Sequence, residues 1–414
     1  MFRRVYLDNS ATTPIDPDVL DAMMPYLTDK FGNASSIHHF GQETRSAVDT
    51  ARHQVAGMLN ARPNEIVFTS GGTESNNLAT RGLVEANGKH GRHTIISAIE
   101  HPAVKNVVED LEKSDFRLTY LPVYEDGIIR ISDLEAAITD DTILISVMAA
   151  NNEIGTIQPI GEIGRMIRKL REGGRKIWFH TDAVQAAGKM PLDVEEIGCD
   201  LLSISGHKIH APKGIGALYI RRGVRLHPQN IGGRQERERR GGTEPVAQIV
   251  ALGKACEIAN ADLCGREALA ENCQARTPYE VRASMERIRQ LRDKLESRIG
   301  EMIEDITFNG NREHRLPNIS NISFHGVEGE GLLINLDMQG IAVSTGSACS
   351  SGSLEPSPVI RALGGNEDDA RSAIRFSLSR FNTPADIDRI LEVVPNAVEN
   401  LRRLSPAYQY LSKK

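Results

Sequence analysis

Short apolar runs alternate with longer stretches of helical spacing through the first two-thirds of this chain. The runs EIVFTS (65–70), HTIISAI (93–99), RLTYLPV (117–123), TILISVM (142–148), KIWFHT (176–181), DLLSIS (200–205) and ALYIRR (217–222) read as candidate strands. Between them, segments such as GQETRSAVDTARHQVAGMLN and IGEIGRMIRKLREGG carry apolar residues at helical spacing. This alternation predicts an α/β fold, a mostly parallel sheet covered by helices on both faces. Ligands of such sheets bind at the carboxyl ends of the strands. Residues 226–245, rich in Gly and Arg, read as an exposed functional loop. A long polar helical region over roughly 246–304 leads to a second, smaller unit. That unit has strands near 318–326 and 372–379, a last helix near 384–403 and a surface tail.

The strand ends carry the candidate chemistry. Lys208 follows DLLSIS in the segment SGHKIHAPKG, and Asp182 and Gln185 follow KIWFHT in HTDAVQAAGK. A lysine and an acid delivered by two strand ends suit pyridoxal phosphate. The lysine forms the Schiff base and the acid keeps the pyridine nitrogen protonated. The turn VFTSGGTESNN, with Gly72 and Thr73, offers backbone N–H groups and a helix N-terminus for a phosphate. An ordinary strand-to-helix turn with a Thr cap is the plain alternative, and the nearby lysine and acid favour the phosphate. His101 directly follows a strand and could stack on a ring and move protons. Asn152, also after a strand, could hydrogen-bond a phenolic oxygen or simply form a turn. Ser205 and His207 precede Lys208 and could reach the phosphate. Arg375 stands alone in the apolar strand AIRFSLS, where it needs an anion: a substrate carboxylate or a structural carboxylate. Asn33 and His38 sit in a Gly/Ser loop, FGNASSIHHFG.

Composition narrows the class. The 414 residues are 40% hydrophobic and 25% charged, as in ordinary globular proteins. A net charge of −6 argues against binding nucleic acid by bulk charge. No apolar run approaches a membrane span, and the N-terminal segment lacks the apolar core of a signal peptide, so a cytoplasmic location is expected. Five cysteines without a C-x-x-C pair predict reduced thiols and no metal site. Cys256, Cys264 and Cys273 read as inert. Cys349 differs, because it lies in STGSACSSGS, a run of small polar residues that could carry a thiolate to a substrate.

These segments together give a family resemblance. YLDNSATTP, FGNASSIHHFG, TSGGTESNN, IEHPAV, NNEIGTIQPI, HTDAVQAAGK, SGHKIHAPKGIGALYI, GRQERERRGGTEP, STGSACSSGSLEPS and IRFSLSRFNT run in order almost end to end. The chain resembles the group I NifS/IscS cysteine desulfurases, among the class V aminotransferase enzymes that use pyridoxal 5'-phosphate. The resemblance implies a fold-type I homodimer. It implies a large domain over 15–257 and a small domain made of 1–14 and 258–414. Lys208 would bind the cofactor, Asp182 pair with the pyridine nitrogen, and His101 stack on the ring. Asn152 and Gln185 would approach the phenolic oxygen. Thr73, Ser205 and His207 would bind phosphate, with Thr243 supplied by the other subunit. Arg375 and Asn33 would hold the carboxylate of L-cysteine. Cys349 would take the sulfur as a persulfide, leaving L-alanine, and pass it to an acceptor such as an iron–sulfur scaffold protein. Arg234 departs from the family pattern by interrupting a glycine run, and Pro245 by replacing a common Asn.

Overall fold

The computed structural model describes residues 3–264, 278–345, 356–404 and 408. Twelve strands lie among the described residues: β1 (Val5–Tyr6), β2 (Ile66–Thr69), β3 (His93–Ser97), β4 (Arg117–Leu121), β5 (Thr142–Ser146), β6 (Trp178–Asp182), β7 (Leu201–Ser205), β8 (Gly216–Ile220), β9 (Ile306–Phe308), β10 (Ile319–Phe324), β11 (Ile341–Ala342) and β12 (Ala373–Ser377). The seven apolar runs form one sheet in the order β2-β8-β7-β6-β5-β3-β4. Its pairs from β4 to β7 are parallel, and β8 runs antiparallel to both β7 and β2. The mostly parallel sheet predicted from the sequence is therefore present. Strands β2, β3, β5, β7 and β8 are buried along their whole length, which is why they read as unbroken apolar runs.

The polar helical region expected over 246–304 is two helices of different character. Val246–Cys264 is largely apolar and packs against the helix His39–Met58, burying Ile249, Leu252 and Cys256. Each such aliphatic side chain contributes about 1.5–3 kcal/mol when fully buried. A Cβ at Gly253 would come within 2.6 Å of Ala51 Cα, so the two helices meet where no side chain fits. Pro278–Met302 is the polar half. It joins a second apolar cluster with Leu295, Ile299, Phe324, Phe376 and Val394.

Beside this cluster lie a three-stranded sheet, β12-β10-β9, and a two-stranded pair, β1 with β11. The last two are parallel, Val5 opposite Ile341, and Asp8 bridges to Ser377. The N-terminal segment is thereby fastened to the last third of the chain. It then meets the turn after β7, where Thr13 N–H donates to the His207 carbonyl and Asp16 N–H to that of His210.

Candidate functional site

Three strand ends and one helix start converge on a cleft of 250 Å³. β6 ends in Asp182, β7 in Ser205 with Lys208 one short turn later, and β2 leads to Gly72 at the start of the helix Gly72–Asn87. The cleft is lined by Gly72, Thr73, His101, Asn152, Asp182, Gln185, Ser205, His207 and Lys208. The structure thus gathers nine of the sequence-predicted residues in one place.

Gly71 adopts φ 151°, a backbone region that disfavours any side chain, and a Cβ on Gly72 would stand 2.8 Å from Val184 Cγ2. No side chain caps the helix that begins there. Its first N–H groups and the positive end of its dipole therefore suit an anion. Four residues on, the same helix presents Asn76, whose Nδ2 donates to Asp182 Oδ2 at 2.6 Å. Val184 N–H donates to Asp182 Oδ1 at 2.9 Å. Both carboxylate oxygens are held, so the acid points one way.

Lys208 Nζ donates to the carbonyls of Ser10 and Ala11, and Gln185 Nε2 donates to the same Ser10 carbonyl at 2.8 Å. Gln185 Oε1 and Ser10 Oγ are buried without a partner. Buried polar atoms left open beside a lysine, an acid and an uncapped helix are what a polar ring with a phosphate arm would satisfy. The donor set therefore fits pyridoxal phosphate.

His101 caps the helix Pro102–Leu111 through Nδ1, which accepts from Ala103 N–H at 3.0 Å. Nδ1 is an acceptor, so the proton of the neutral ring sits on Nε2. Burial lowers its pKa, Asp182 opposes that and Lys208 adds to it. Burial and then the charge of Lys208 push His207 down to about 4. Beside His101, Glu100 is buried, and burial pushes its carboxyl up to about 8 even though Ser97 Oγ and Met148 N–H donate to it.

Other expected residues lie elsewhere. Arg375 does not line the cleft. It is fully buried, with Nη2 on Asp8 Oδ1 at 2.8 Å and Nη1 on the Asn152 carbonyl at 2.8 Å. Of the two anions the sequence allowed, the structural carboxylate is the one in contact. Its Nε is buried without a partner. Asn33 and His38 are exposed and occupied locally, with Asn33 Oδ1 accepting from Ser35 N–H and His38 Nδ1 from Gly41 N–H. Thr243 is exposed and outside the cleft of its own chain. Cys349 lies outside the described residues. The flanks of its loop are described. Ser344 exchanges backbone hydrogen bonds with Arg375, and Ser357 Oγ donates to Glu153 at 2.6 Å, next to Asn152.

Ala11, Asn76, Ala103, Met148, Ala150 and Val184 complete the wall and were not anticipated. Asn76 was findable, because it stands one helical turn beyond Gly72. The Ser10 and Ala11 carbonyls left no trace, since a backbone acceptor has no residue signature.

The family model for aminotransferase class-V matches residues 5–390. The chain is 47% identical over 409 residues to a cysteine desulfurase IscS of Dictyoglomus turgidum, covering 99% of this chain and 98% of that one. It is 50% identical over 402 residues to a cysteine desulfurase of Nostoc sp., covering 97% and 94%. Among solved structures, a NifS-like protein superposes with a TM-score of 0.86 at 35% identity, covering 96% of this chain and 100% of that one. A structure described as SspA in complex with cysteine gives 0.76 at 36% identity, covering 92% and 100%.

Proposed function

This chain belongs to the class V aminotransferase family and is a pyridoxal phosphate-dependent cysteine desulfurase of the NifS/IscS type, and within that activity we propose that Lys208, Asp182 and His101 form its catalytic centre and that Cys349 takes the sulfur. The observation that supports the assignment is the convergence of Lys208 and Asp182, from the ends of neighbouring strands, on a cleft closed by the uncapped helix at Gly72.

In this reading Gly72, Thr73, Ser205 and His207 hold the phosphate, and Gln185 and Asn152 face the phenolic oxygen. Asp182 holds a proton at the pyridine nitrogen. When bound, the cofactor supplies an electron sink for the substrate α-carbon. L-cysteine is the substrate, consistent with the cysteine bound by the similar SspA. Lys208 Nζ, freed by the incoming amine, takes the proton from the substrate Cα. The Cys349 thiolate attacks the substrate sulfur, the C–S bond breaks, and its electrons stay with the carbon fragment. Protonation of that fragment yields alanine and leaves a persulfide on Cys349.

Arg375 receives the substrate carboxylate once Asp8 yields its place, and Asn33 and His38 close over it. Thr243 reaches the phosphate of a second copy, which makes the working unit a homodimer. The persulfide passes to an iron–sulfur scaffold or another acceptor protein. No described helix is long and apolar enough to cross a membrane. We place the protein in the cytoplasm, where buried free thiols such as Cys199 and Cys256 persist.

The test is product analysis of the purified protein with L-cysteine, beside Cys349→Ala and Lys208→Ala. With an added dithiol to reduce the persulfide, equal sulfide and alanine from the wild type is expected, with both lost in Cys349→Ala while its bound cofactor remains. Lys208→Ala should lose the lysine-bound absorbance. Sulfide and alanine at the wild-type rate from Cys349→Ala would remove that thiol from the mechanism.

A further inference from the structure

Lys208 stands in a wall between two cavities. In front is the cleft; behind it is a narrower, more apolar cavity lined by Lys189, His210, Asp262, Met285 and Arg380. Lys189 takes no part in the mechanism above. It is the last residue of HTDAVQAAGK, the segment that also carries Asp182 and Gln185. Its Nζ donates to the Gln185 carbonyl at 3.0 Å and to the Lys208 carbonyl at 3.2 Å. One ammonium thus joins the backbone of the turn holding the acid to the backbone of the turn holding the reactive lysine.

We propose that Lys189 is a positioning residue for Lys208, tying its turn to that of Gln185 and opposing a second positive charge on its amine. The proposal rests on Lys208 being the cofactor lysine. The groups around Lys189 define its field. Lys208, His207 and His210 approach from the turn after β7, Asp262 from the helix Val246–Cys264, and Arg380 from the turn after β12. Arg380 is engaged by Asp16 and Asp262, so the carboxylate that lines this cavity, Asp262, is already matched. Burial first, and then the charge of Lys208, lower the Lys189 amine to about 7. Such an interaction is mutual, so Lys189 in its charged form disfavours protonation beside it.

The experiment is a pH titration of the visible absorbance of the holoenzyme, in the wild type and in Lys189→Met, Lys189→Gln and Lys189→Arg. Removing the charge should raise the pKa of the lysine-bound chromophore by about 0.5–1 unit in both the Met and Gln variants, a threefold to tenfold change in proton affinity. The Arg variant, charged at every pH, should titrate at or below the wild-type value. Cofactor affinity should fall in the Met variant and stay close to the wild type in the Gln variant, which keeps a donor. A purely structural lysine would alter affinity and leave the titration unmoved. Coincident titration curves for wild type, Met and Gln would overturn the proposal. Persistence of the lysine-bound absorbance in Lys208→Ala would instead overturn the assignment of Lys208 itself.

Discussion

Glu236 offers a quantitative test of how the loop at 226–245 supports the cleft. Its two carboxylate oxygens accept from Arg52 Nη1 and Nη2 at 2.7 Å each, and Oε2 also accepts from Phe68 N–H at 3.1 Å. The pair is buried, at 6% and 3% side-chain exposure. Arg52 also donates to the Ile66 carbonyl at 2.8 Å and lies 4.6 Å from the centre of the Phe68 ring. The clamp therefore grips β2, the strand that delivers the Gly71–Gly72 turn. Removing one partner of a buried pair costs about 3–5 kcal/mol, because the other charge is stranded. Arg52 would keep its carbonyl and ring contacts, so Glu236→Ala should cost about 3 kcal/mol, the low end of that range. The backbone adds a second signature. Glu236, Arg237 and Glu238 all have positive φ, at 44°, 57° and 66°. That region costs a residue with a side chain roughly 1–2 kcal/mol. Glu236→Gly should thus be about 1 kcal/mol more stable than Glu236→Ala, the reverse of the usual order. Urea unfolding of the purified protein, followed by the fluorescence of its single tryptophan, Trp178 on β6, would read both values. An Ala variant within about 1 kcal/mol of the wild type would refute the clamp, since exposed pairs are worth no more than that. A Gly variant less stable than the Ala variant would refute the strain.

Two further predictions follow from the same geometry. Glu100 has a folded pKa of about 8 against a usual 4.5, so its contribution to stability falls as pH rises through that window. Glu100→Gln should come close to the wild type below pH ~5 and gain on it by about 4–5 kcal/mol near pH ~8.5 in thermal or urea unfolding; equal pH profiles would contradict the buried acid. Asp8 competes with the substrate carboxylate for Arg375 in the proposed function, so Asp8→Asn should lower KM for L-cysteine roughly threefold with kcat little changed, a difference of under 1 kcal/mol. A raised KM would show that Asp8 assists binding instead.

The sequence disclosed those parts of the fold whose burial is uniform. β2, β3, β5, β7 and β8 have no solvent face, so composition alone marked them. β1, β9 and β11 escaped because two or three residues carry no period, and their pairing depends on partners far along the chain. The helix Val246–Cys264 was misjudged as polar because its small residues, Ala247, Ala251 and Ala255, are buried by close helix approach. In the cleft, strand-end side chains were legible and backbone groups were not. Arg375 was read correctly as needing an anion, but the choice of Asp8 depends on a bridge between residues 8 and 377 that no local pattern encodes. Glu236 is the opposite case: three residues with side chains in a left-handed run are unfavourable locally and persist through contacts to Arg52 and Phe68.

The fastening of the N-terminal segment has a consequence for biosynthesis. Ser10 and Ala11 supply the carbonyls that hold Lys208, yet the segment bearing them is anchored by Ile341, Ala342 and Ser377. A nascent polypeptide can build the seven-stranded sheet once residue 220 has left the ribosome. It cannot complete the fastening of its first dozen residues, which Gln185 and His207 hold only in part, until more than 150 further residues have been translated. Truncated or stalled chains should therefore present a folded sheet on which Lys208 is less firmly held. The competence to retain a cofactor should arrive late in translation, with the last third of the chain.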